Sequence, residues 1–66
     1  MFAIYRRYKF KCSGKEFDMY ISKNNLTCDG EIHPNNIKKY KNYEDAQREL
    51  NILNKMGRDG WAIISI

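Results

Sequence analysis

The chain has 66 residues, a net charge of +4 and a pI near 9.2, with 42% apolar and 14% aromatic residues. That length reads as one domain over residues 1–66, and the apolar content excludes a disordered tail. A domain of this size buries only about 60% of the surface its unfolded chain exposes, so a large enclosed catalytic pocket is not expected.

Residues 2–12 alternate. Phe2, Ile4, Arg6, Tyr8, Phe10 and Cys12 share one face, apolar apart from Arg6; Ala3, Tyr5, Arg7, Lys9 and Lys11 share the other, basic in its outer half. That is the period of a half-buried strand. Ser13-Gly14 reads as a two-residue turn. A second alternating run follows, with Phe17, Met19 and Ile21 on one face and Glu16, Asp18, Tyr20 and Ser22 on the other. A two-residue loop sets Phe10 opposite Phe17, Tyr8 opposite Met19, Lys11 opposite Glu16 and Lys9 opposite Asp18.

Lys23-Asn24-Asn25 is a turn signal, Leu26-Thr27-Cys28 a candidate third strand, and Asp29-Gly30 a turn from which Glu31-Ile32-His33 would return. Pro34-Asn35-Asn36 breaks structure, and Ile37 to Lys41 fits either a short edge strand or a loop. Asn42 then reads as a helix N-cap, with Glu44 and Asp45 in the first turn, where the helix dipole favours negative charge. Tyr43, Ala46, Leu50, Leu53 and Met56 recur at spacings of three and four and predict a helix over 43–56, with Glu44 and Arg48 paired on its outer face. Gly57 stands at the C′ position. Arg58-Asp59-Gly60 is a tight connection to a strand over 61–66, Trp61 and Ile63 on one face and Ala62, Ile64 and Ile66 on the other. Apolar on both faces, that strand is expected inside the sheet, with either the earlier loops or a second subunit as cover for the face away from the helix. The expected fold is α+β: a small antiparallel sheet led by the N-terminal hairpin, one helix against one face, and the C-terminal strand.

The run Leu53-Asn54-Lys55-Met56-Gly57-Arg58-Asp59-Gly60-Trp61-Ala62-Ile63-Ile64 resembles the C-terminal signature of a family of small bacterial and phage domains of unknown function, Leu-Asn-x-Leu-Gly-x-x-Gly-Trp-Glu-Leu-Val. Leu53, Asn54, Gly57, Gly60 and Trp61 match directly, and Met56, Ile63 and Ile64 match by type; Ala62 stands where the family has an acid. The resemblance implies a strand–helix–strand domain and no activity. With the small size, it points to a phage or mobile-element accessory protein that modulates a host factor. The motif also has a structural account: Gly57 stops the helix, Gly60 allows the turn, and Trp61 covers the helix end.

No stretch carries obvious catalytic chemistry. His33 is the sole histidine, and with Cys12, Cys28, Asp29 and Glu31 it lacks the close ligand pairs of a zinc site. Glu16 and Asp18 share a strand face, but facing lysines explain them. Phosphate-binding, dinucleotide and metalloprotease motifs are absent, so no enzyme, metal or cofactor is expected. The two cysteines form no redox pair, Arg6-Arg7 interrupts the first apolar run, and Trp61–Ile66 is too short to span a bilayer; a cytoplasmic protein without a leader or membrane span is expected. Lys9 and Lys11 have internal acidic partners in this register, leaving Arg6, Arg7, Lys38, Lys39, Tyr40 and Lys41 as candidate partner contacts. The leading expectation is a non-enzymatic protein-binding module. The alternatives are a nucleic-acid binder using the same basic and aromatic residues, and a self-assembling subunit, such as a homodimer, joined through the last strand.

Overall fold

A computed structural model describes residues 1–30, 32–58 and 60–66. Four strands, β1 (Phe2–Lys9), β2 (Glu16–Ile21), β3 (Thr27–Asp29) and β4 (Ala62–Ser65), form one antiparallel sheet in the order β3-β2-β1-β4. A 3-10 turn occupies Pro34–Asn36, and the single helix, α1, runs Tyr43–Lys55. The α+β class, the leading hairpin, the helix and the final strand are as the sequence leads one to expect. Among the described residues no helix is long and apolar enough to cross a membrane.

The hairpin register differs from expectation by two residues. Tyr8 faces Phe17, Lys9 faces Glu16 and Arg7 faces Asp18. A two-residue type I′ turn needs positive φ at both residues. Gly14 has φ +70° but Ser13 is not in that region. The chain instead makes a four-residue loop: Phe10 N–H bonds the Lys15 carbonyl at 2.9 Å, and Gly14 N–H bonds the Phe10 carbonyl at 2.8 Å. Faces survive, because a slip of two preserves side-chain direction.

The sheet is covered on both sides. On one side Ile4, Ile21, Tyr40, Ala46 and Leu53 form the main core, with Phe2, Leu50, Trp61 and Ile63 packed against it. α1 lies across β1 and β4 on this side. On the other side Ala3, Cys28 and Ile37 are buried, with Tyr20 and Ile64 against them. The loop after β3 supplies Ile37, so the chain itself covers this part of the second face. β4 is an edge strand with two exposed and two half-buried residues, not the interior strand its apolar sequence implied. Its uncharged sequence reflects the use of both faces, Ile63 toward the helix and Ile64 away from it.

Segment 37–40 enters where β1 and β2 separate. Ile37 bridges Ser22 and Tyr40 bridges Phe2; the amides and carbonyls of Phe2 and Tyr40 exchange hydrogen bonds of 2.7 and 2.8 Å. The expected return strand through Glu31-Ile32-His33 falls partly on Glu31, outside the described residues; Ile32 and His33 are exposed and not in a strand. Asp59 of the 58–60 connection also lies outside them.

Asn42 occupies the N-cap position without a side-chain hydrogen bond to the helix. Arg48 pairs with Asp45 at 3.5 Å rather than with Glu44. Gly57, at φ +77°, ends the helix: its N–H reaches the Asn54 carbonyl at 3.1 Å, and Arg58 N–H reaches that of Leu53 at 2.9 Å. Trp61 then packs against the main core.

Candidate functional site

The six residues singled out from sequence do not form one surface. Arg6 and Arg7 lie on opposite faces of β1, as consecutive strand residues must. Arg6 sits over the ring of Tyr8, 5.2 Å from its centroid. Arg7 bonds Asp18, Nε to Oδ1 at 2.9 Å, and that hydrogen bond, then the carboxylate charge, raises the guanidinium pKa further. Arg7 therefore has the internal partner that the expected register assigned to Lys9.

Lys38 Nζ is 3.1 Å from Asn25 Oδ1 and 3.8 Å from Glu49 Oε1, and lies 5.4 Å from the Tyr40 ring centroid. Tyr40 is only 8% exposed and belongs to the main core. Its hydroxyl has no hydrogen-bond partner among the described residues. Burial, and secondarily the Glu49 charge, pushes the phenol up to about 12. Of the 38–41 segment only Lys39 and Lys41 are exposed cations without an ion pair among the described residues.

What the fold brings together instead is at the tip of the hairpin. Tyr8 stacks on Phe17 at a centroid distance of 5.5 Å, and Phe17 stacks on Phe10 at 4.8 Å. With Arg6 on Tyr8, the contacts run Arg6–Tyr8–Phe17–Phe10. Phe10 is 54% exposed and Tyr8 37%. Lys9, Lys11 and Lys15 are exposed on the same strand end and loop. Residues 6–18 carry Arg6, Arg7, Lys9, Lys11 and Lys15 against Glu16 and Asp18, a net of +3 out of the chain's +4; the remaining residues hold seven cations against six carboxylates. Most of the net charge and the exposed rings are thus on one projection.

These rings share a face with Phe2 and Ile4, so alternation alone implies that they are buried. A signal against that was available in element lengths. A helix of 13 residues spans about 20 Å. β1 and the following residue, Phe2 to Phe10, extend about 30 Å at strand spacing. One helix of that length cannot cover the whole face.

Other groups are less suggestive. Cys12 is exposed and Cys28 buried, both free, and burial raises the Cys28 thiol pKa, with Asp29 adding to it. No group of three His, Cys, Asp or Glu residues among those described could hold a metal ion. Glu16 faces Lys9 and Asp18 faces Arg7 across the hairpin, so each carboxylate stands opposite a cation. Compared with family models, with curated proteins and with solved structures, the chain matches none.

Proposed function

We propose that this protein is a non-enzymatic binding module whose working surface is the β1–β2 hairpin, and that its partner is single-stranded nucleic acid. The observation that carries the reading is the stacked series Tyr8–Phe17–Phe10, open to solvent at Phe10, on the projection that holds most of the net charge. Single-strand binders combine those two elements: rings on which bases stack, and cations that follow the phosphates. The flanking lysines supply the second. The two free cysteines fit a reducing compartment, and the proposal places the protein in the cytoplasm.

The test is fluorescence anisotropy of labelled short DNA and RNA, single- and double-stranded, at low and near-physiological salt. Preference for single strands is expected. Phe10→Ala should weaken binding by roughly tenfold, within the 1–3 kcal/mol typical of one stacked base. Lys9, Lys11 and Lys15 changed to Gln together should flatten the salt dependence, by about 0.7 in log–log slope for each phosphate that is no longer neutralised. Equal affinity of wild type and Phe10→Ala would overturn the proposal.

A second reading, a protein-binding or self-assembling module, has its own observation. β4 is an uncharged edge strand, Ala62-Ile63-Ile64-Ser65, of the kind that accepts a strand from another chain. Under this reading a protein partner, or a second copy forming a homodimer, adds to that edge. Ser65→Lys, a charge at an exposed position of that edge, would weaken such a complex in sedimentation while leaving the ring-dependent oligonucleotide binding intact.

A further inference from the structure

We propose that the partner at the β4 edge is a second copy of this chain, paired antiparallel about a two-fold axis at Ile64; this rests on the reading of that edge as open to another strand, and names its occupant and register. The phase of the ladder decides which backbone groups are free. Hydrogen bonds in an antiparallel pair fall on alternate residues. Ile66 N–H bonds the Met1 carbonyl at 2.8 Å, and the register runs from Phe2–Ser65 to Tyr5–Ala62. Ile64 and Ala62 therefore bond back to β1, while Ile63 and Ser65 turn their amides and carbonyls outward. The exchange between Phe2 and Tyr40, on the other margin of β1, has the same phase. No hydrogen bond among the described residues reaches the outward groups of Ile63 or Ser65.

Those groups match themselves. Ile63 against Ser65 of the second copy, and Ser65 against its Ile63, make four N–H···O bonds and leave no outward group of β4 over. The same register brings the two Ile64 side chains together at the axis, on the face away from the helix, and sets Ala62 opposite Ile66 of the second copy. Ala62 and Ile66 are exposed in the single chain, and this pairing covers them. β4 carries no charge, so no like charges meet across the axis.

The helix beside the edge fits the same occupant. Glu49, Ile52 and Met56 border a cleft with Ile21 of β2, so the opposite flank of α1, with Tyr43, Gln47, Leu50 and Asn54, lies toward β4. That flank is uncharged, and Tyr43 on it is 53% exposed. A two-fold normal to the sheet keeps both helices on one side. With α1 over β1 and β4 and strands about 4.8 Å apart, the helix axes stand about 10 Å apart, the spacing of packed helices. A strand from an unrelated protein can use the same backbone groups, but only a second copy also sets an uncharged helix flank against this one. The two-fold also reverses β1, so the basic hairpin tips point to opposite ends and do not repel at close range.

The experiment is sedimentation of the full chain up to high micromolar concentration, with amide hydrogen exchange read by NMR over the same range. A dimer is expected, with the Ile63 and Ser65 amides protected only where it forms. Register is read by cross-linking in a Cys12→Ser background, which removes the other exposed thiol. Ala62→Cys with Ile66→Cys should oxidise to a covalent dimer, while Ser65→Cys, whose own counterpart lies a diagonal away, should not. Both positions of the double variant are exposed, so folding is not at stake. A monomer with freely exchanging Ile63 and Ser65 amides overturns the second copy and leaves the edge open to another protein. A dimer in which those amides still exchange freely, or a monomer in which they are protected, overturns both the proposal and the edge reading. A dimer that cross-links through Ser65→Cys but not through the double variant overturns the register.

Discussion

Ile4 and Phe10 stand on the same face of the same sheet, three alternations apart, yet one is fully buried and the other more than half exposed. Ile4 lies under α1 in a core closed by Ile21, Ala46 and Leu53. Phe10 lies beyond the helix, its ring against Phe17 and otherwise toward solvent. An alternating pattern reports which way side chains point, and only the length of the covering element decides whether they are covered. At one end of the face apolar surface holds the fold together; at the other it remains available.

The largest expected effect tests the covered end. Ile4→Ala should destabilise by about 2–5 kcal/mol in urea unfolding, a large share of what a domain this size has. Phe10→Ala should lose about 1 kcal/mol or less. Similar losses at both positions would abolish the contrast. Gly57→Ala sharpens it: an added Cβ would meet nothing within 4 Å, so the cost is that of a left-handed backbone alone, about 1–2 kcal/mol.

Tyr40→Phe should raise stability near neutral pH by about 1 kcal/mol, by removing an unpaired buried hydroxyl. The pH dependence has a definite sign. The folded phenol is raised from 10 to about 12, so its neutral form is favoured by the fold. Its contribution is complete below pH 10 and is lost as pH rises toward 12, because the unfolded state ionises first. The advantage of Tyr40→Phe over wild type should therefore widen across that window; a constant difference from pH 9 to 12 would refute the buried-phenol account. The smallest effect belongs to Arg7→Ala, whose partner is on an exposed strand face: no measurable shift of the thermal midpoint is expected at physiological salt.

Much of this architecture is legible in the residues. The spacing of Ala46, Leu50 and Leu53 marks the helix face, Gly57 marks its end, and the two alternating runs mark the hairpin. The register was not legible, since pairings two residues apart put the same side chains on the same faces; the difference lay in whether Ser13 would take positive φ. Nor was the edge position of β4, because a strand flanked by apolar cover on both faces has the same composition at an edge as inside. The candidate surface was hidden for a related reason: Tyr8, Phe10 and Phe17 carry the pattern of a core. Tyr40 was misleading in the opposite sense. Surrounded by lysines in sequence, it looks like surface, but its backbone is tied to Phe2, and that bridge turns the ring inward.

The pairing of β1 with β4 joins Phe2 to Ser65, close to the full length of the chain. During synthesis, the hairpin can close as soon as Ile21 has emerged, but the other margin of β1 stays open until more than forty further residues have been made. Contacts of such wide separation slow folding and leave a bare strand exposed meanwhile. That strand carries Arg6, Arg7 and Lys9, and like charges of this kind keep nascent copies from pairing with one another before the last strand arrives.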